Sequence, residues 1–155
     1  MSGAAAAVVT LVVLLSAVEP ASLAFSDFFR PSSSRLQPSD RLLALDGQRV
    51  RIQGFMAGME EGPAGAFYLA SRPVSCDEGG AGTGDLPPDA VLVLVPWLAG
   101  AEIPFLAGPL EVVGVLHLGA ATRPDGAPAR IRIVLDSPTA KSDSPKAKSE
   151  GGNVP

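Results

Sequence analysis

The sequence predicts an all-β domain, a small five-stranded OB-like barrel, and three observations carry that prediction. Asp46-Gly47 is a turn signal followed by strict alternation, which sets Val50, Ile52 and Met56 on one side of a strand. Glycines interrupt two strand-like runs, Gly54 in the first and Gly114 in a β-branched one, as happens where a strand bends sharply to close a small barrel. With 17 glycines and 15 prolines among 155 residues, and no apolar pattern of helical period longer than about three turns, little helix is expected. A β-sandwich is the competing arrangement.

Residues 1–24 read as a signal peptide. Gly3 to Val18 is a run of small and aliphatic residues with only Thr10 and Ser16 polar, shorter than the roughly 20 residues a bilayer span needs. Ser22-Leu23-Ala24 offers small residues at the two positions a signal peptidase inspects, which places cleavage before Phe25 and the protein in the periplasm or outside the cell. Met1 to Gly3 carries no lysine or arginine, so an uncleaved anchor is the other reading of the same stretch. Residues 25–38 form a linker whose Phe25, Phe28 and Phe29 are expected to pack on the domain.

The barrel domain is expected over 39–136. Ser39-Asp40 caps a short helical turn through Leu45, and five strands follow: Arg49 to Met56, Ala66 to Ser71, Ala90 to Pro96, Leu110 to Leu118 and Ala129 to Asp136. Met59 to Gly65 reads as a polar loop and Arg123 to Pro128 as a hairpin connection. Val91 to Val95 is apolar on both faces, which places that strand centrally, whereas Arg130 and Arg132 alternate with Ile131 and Ile133, so the last strand has one wet face. Residues 137–155, rich in serine, proline, glycine and lysine, form a tail expected to be disordered, and all three lysines, Lys141, Lys146 and Lys148, lie in it.

The formal charge is -4 and the aromatic fraction 5%, a balance that argues against a nucleic-acid partner, which calls for a basic face and stacking rings. One cysteine, Cys76, excludes an internal disulfide and a multi-thiolate zinc site. No Ser/His/Asp set, phosphate-cradling loop, nucleotide fingerprint or paired-carboxylate motif assembles from these residues, so an enzyme is disfavoured and no cofactor is implied.

The candidate site is a set of four arginines. Arg49, Arg51, Arg130 and Arg132 fall on the outward faces of the first and last strands, and if those strands pair they form a compact basic stripe able to hold an acidic partner protein or an anionic ligand, the competing reading being that they only pair across strands with residues such as Glu111. The alternative site is a metal-handling group of Cys76, Asp77, Glu78 and His117, which needs the glycine-rich loop to fold over the strand carrying His117. Trp97 either closes one end of the core or anchors an interface, and the first is the favoured reading.

Leu45 to Met56, then Ala66-Phe67-Tyr68-Leu69, then Cys76 and Pro87-Pro88 before the strand Val91 to Val95, resembles DUF3299, a family of uncharacterised exported bacterial proteins. The resemblance covers about a third of the chain. Members often carry a histidine two residues after the cysteine, and here that place is Glu78. The resemblance implies association with ABC-type transport systems. Together with the residues it gives an expected function: an exported, non-enzymatic β-barrel binding module, accessory to a membrane-associated transport system through protein contacts. Membrane contact is expected only through an uncleaved leader or the basic tail.

Overall fold

The chain is described by a computed structural model covering residues 18–31, 37–76, 86–122 and 128–137. The segments holding the leader core, Asp77 and Glu78, and most of the C-terminal tail lie outside the described residues. Eight strands are present there: β1 (Ala21–Ser22), β2 (Arg49–Met56), β3 (Gly58–Met59), β4 (Ala66–Ala70), β5 (Ser75–Cys76), β6 (Val91–Leu94), β7 (Pro109–Thr122) and β8 (Pro128–Leu135), with one short helix, α1 (Asp40–Ala44). Among the described residues no helix is long and apolar enough to cross a membrane.

Five of these strands close into a barrel in the order β2-β4-β6-β8-β7, with β7 returning to pair with β2. Every pair is antiparallel except β6 and β8, which run parallel. The barrel replaces the sandwich alternative, and the five strands read from the sequence are the five that build it, with ends within a few residues. α1 also forms where expected, its N-terminus capped by the Ser39 hydroxyl, which accepts a hydrogen bond from the Leu42 amide at 3.0 Å.

Closure depends on the two interrupting glycines. β2 pairs with β7 over Arg49 to Phe55 and with β4 at Phe55 and Met56, so it serves both neighbours by turning at Gly54. A Cβ there would lie 2.7 Å from the Ala70 carbonyl oxygen and 2.8 Å from the Phe25 ring. Gly114 of β7 pairs with Val50 of β2 and with Leu135 of β8, and a Cβ there would fall onto the Val134 carbonyl oxygen. Both positions exclude any side chain for the same reason: three strands converge on one backbone position.

Alternation along β2 buries Val50, Ile52, Gly54 and Met56 and exposes Arg49, Arg51 and Gln53. The interior joins Val50, Ile52, Leu69, Val91, Val93, Leu116 and Ile133 to Leu23, Phe28 and Leu42, which arrive from the segments ahead of β2. Phe25, Phe28 and Phe29 pack on this core as anticipated, with ring centroids 5.0 and 6.3 Å apart along the series. A fully enclosed ring such as Phe28 contributes about 1.5–3 kcal/mol relative to exposure.

β6 is buried on both faces, as its unbroken apolar run requires: Val91 and Val93 face inward while Leu92 joins Ala57, Ala66 and Tyr68 in a second cluster outside the barrel. This second cluster needs a cover, and it explains one departure from the sequence reading. Met59, expected to open a polar loop, instead joins Gly58 in β3, and the two pair with Ser75 and Cys76 of β5 in a small parallel sheet. Met59 and Val74 from this region, with Leu86, pack on the outer cluster.

Candidate interaction surface

The outer wall formed by β2, β7 and β8 carries all four candidate arginines. β2 and β8 do not pair with each other, because β7 lies between them and pairs with both. The single stripe expected if the two strands were neighbours is therefore two separate pairs of arginines. On β7 the residues between them are Glu111, Val113, Val115 and His117, none of them buried. Val115 stands opposite Arg49 on one side and Val134 on the other.

Around β2 the charges are matched. The Arg49 Nε donates to Asp136 Oδ2 at 2.5 Å and its Nη1 donates to the Val18 carbonyl at 3.3 Å. Arg51 has a carboxylate on each side, Glu19 and Glu111, both at 3.8 Å. Glu19, Arg49, Arg51 and Asp136, with Val18, Pro20 and Val113, line a shallow concavity of about 400 Å³. The pairs are solvent-exposed, so each is worth no more than about 1 kcal/mol.

Around β8 the charges are unmatched. Arg132 sits in register between His117 of β7 and Leu92 of β6, so its long side chain runs along apolar and aromatic neighbours. Its Nη1 is buried and has no hydrogen-bond partner. Arg130, exposed and two residues away on the same face, and His117, half-buried, make no hydrogen bond or ion pair with described residues. A planar guanidinium with open donors next to a second arginine and an imidazole is suited to a carboxylate, which takes two parallel N–H bonds from one fork.

The alternative group is not assembled among the described residues. Cys76 is half-buried at β5 beside Met59, His117 is on the barrel's outer wall in a different sheet, and Asp77 and Glu78 lie outside the described residues. Among the described residues no three His, Cys, Asp or Glu side chains converge as a metal site would require.

Trp97 does not close the core. It sits on a 3-10 turn, Pro96–Leu98, with 43% of its surface exposed, and Leu98, Phe105 and Leu106 are also exposed on the same β6–β7 connection. Ile103, from the middle of that connection, packs on the core instead. The loop is tied down by the Gly65 amide, which donates to the Ala101 carbonyl at 2.7 Å, and by the Leu106 amide, which donates to Met56 Sδ at 3.4 Å. Glu19 and Asp136 were the site residues sequence reasoning missed. Asp136 is 87 positions from the arginine it pairs with, and Glu19 lies in a stretch read as leader.

No protein-family model matches the sequence, and no curated protein matches it. Among solved structures the fold is similar to a crystal structure, at 2.45 Å resolution, of a protein from Pseudomonas aeruginosa PAO1, with a TM-score of 0.43 and 17% sequence identity. That protein belongs to the DUF3299 family. The match covers 77% of this chain and 94% of the other.

Proposed function

We propose that this chain is an exported, non-enzymatic binding module of OB-like design that docks an acidic protein segment on the outer wall of β7 and β8, as an accessory to a membrane-associated transport system. The observation that carries this reading is the buried, partnerless Nη1 of Arg132, flanked by Arg130 and His117 with no carboxylate among the described residues to answer them. Arg132 as a residue is only half-buried, so the open part of its fork, beside the exposed Arg130, is what a carboxylate supplied from outside would meet, and a charge-assisted bond there offsets part of the cost of holding an unpaired guanidinium. The OB-like assignment is supported by the closed five-strand order with its one parallel pair, β6 and β8. The transport association rests on the motifs of Leu45 to Val95 alone.

The test uses an extended oligoglutamate peptide titrated against the full chain, followed by amide NMR. Shifts are expected at Val115 to Leu118 and Arg130 to Val134, weakening as salt is raised, and absent in Arg132→Glu. Shifts confined to Arg49 and Arg51, or binding indifferent to Arg132→Glu, would reject this surface.

A further inference from the structure

We infer that β1 and the core residue that follows it belong to the finished protein, so that a leader peptidase does not cut before Phe25. This inference is independent of the docking surface. The run Ser22-Leu23-Ala24 has the small residues such an enzyme selects, yet in the fold it is a built part of the barrel. Ala21 and Ser22 lie parallel to Val50 and Arg51, filling the β2 edge that β4 leaves unpaired below Phe55. The Leu23 amide donates to the Arg51 carbonyl at 2.9 Å, and the Leu23 side chain is only 3% exposed, in the same core as Phe28, Val50 and Leu42.

The backbone on either side is held as well. The Ser22 carbonyl accepts from Arg41 Nη2 at 2.5 Å, and the Ala24 amide donates to Asp27 Oδ2 at 3.1 Å. Upstream, Glu19 faces Arg51 and the Val18 carbonyl takes a bond from Arg49. In the folded chain both the edge and the side chain of that strand are engaged by the barrel. A chain that began at Phe25 would keep the interior shaped for Leu23 without filling it, and would leave the Val50 and Arg51 backbone edge open. A strand that the core needs is not a disposable leader, however well three of its residues fit the cleavage pattern.

The deciding experiment produces the full chain in an exporting bacterial host and reads the N-terminus of the folded product by intact mass, together with hydrogen exchange of the Leu23 amide. A product that contains Ala21 is expected, with Leu23 exchanging at least about a hundredfold more slowly than an unprotected amide, in the range of the β2–β7 ladder. A folded product that begins after Ala21 overturns the inference. So does a Leu23 amide that exchanges at the unprotected rate. If the host leaves the chain uncut, the exchange measurement decides alone.

Discussion

β2 and β8 carry nearly the same local sequence, Arg49-Val50-Arg51-Ile52 and Arg130-Ile131-Arg132-Ile133, and both turn their arginines to the outer wall, yet the two pairs meet different surroundings. On β2 each guanidinium finds a carboxylate, because the edge beyond β2 is occupied by the N-terminal segment with Glu19 while Glu111 and Asp136 approach from the side of β7. On β8 the flanking strand β6 presents leucine and β7 presents histidine, so nothing among the described residues answers the charge. The alternation decides which way a side chain points. What it points at is decided by the strand order, and it is there that a structural arginine and a binding arginine part company.

The sharpest way to break this contrast is to disturb β7, the strand that separates the two faces. Gly114→Val drives a branched side chain onto the Val134 carbonyl and should cost on the order of 4 kcal/mol or prevent folding, read as a lowered urea midpoint. Leu23→Ala comes next, with an expected loss of about 2–4 kcal/mol, and it should loosen Glu19 from Arg51 as the N-terminal strand frays. Loss of Leu23 amide protection in that variant, with β8 amides unaffected, checks the second part.

The faces themselves should respond with opposite signs. Arg132→Leu removes a desolvated donor that has no partner and should leave stability unchanged or raise it by about 1 kcal/mol, whereas Arg49→Leu breaks an ion pair and should lower it by up to about 1 kcal/mol. Equal losses from the two substitutions in urea melts would show that the β8 guanidinium is satisfied after all. The smallest effect expected is the coupling between Arg51 and Glu19, no more than about 0.5 kcal/mol in a double-mutant cycle, since the pair is exposed and its closest atoms are 3.8 Å apart.

The parts of the fold legible in the sequence are those fixed by local physics. Val50, Ile52 and Met56 share a face because side chains alternate, Ser39 caps α1 because its hydroxyl reaches the Leu42 amide, and Gly54 and Gly114 mark the places where strands change partners. The rest depends on which elements meet. That β7 enters between β2 and β8 follows from barrel closure and leaves no trace in either arginine-bearing strand. The pairing of Arg49 with Asp136 spans nearly the whole domain, and an acid at a strand end reads as ordinary solvation until the two ends are brought together. Trp97 misled because size and apolarity alone suggest burial, while the loop packs the smaller Ile103 against the core.

The parallel pairing of β6 with β8 has a consequence for how the chain is made. β8 is the last of the described strands but sits in the middle of the wall, between β6 and β7, so the cylinder cannot seal until residues 128–135 have been synthesised. Until then β6 and β7 each offer a raw hydrogen-bonding margin, one of them almost wholly aliphatic, to any other strand nearby. A chain stopped short of Pro128 would therefore leave both margins unpaired and prone to association.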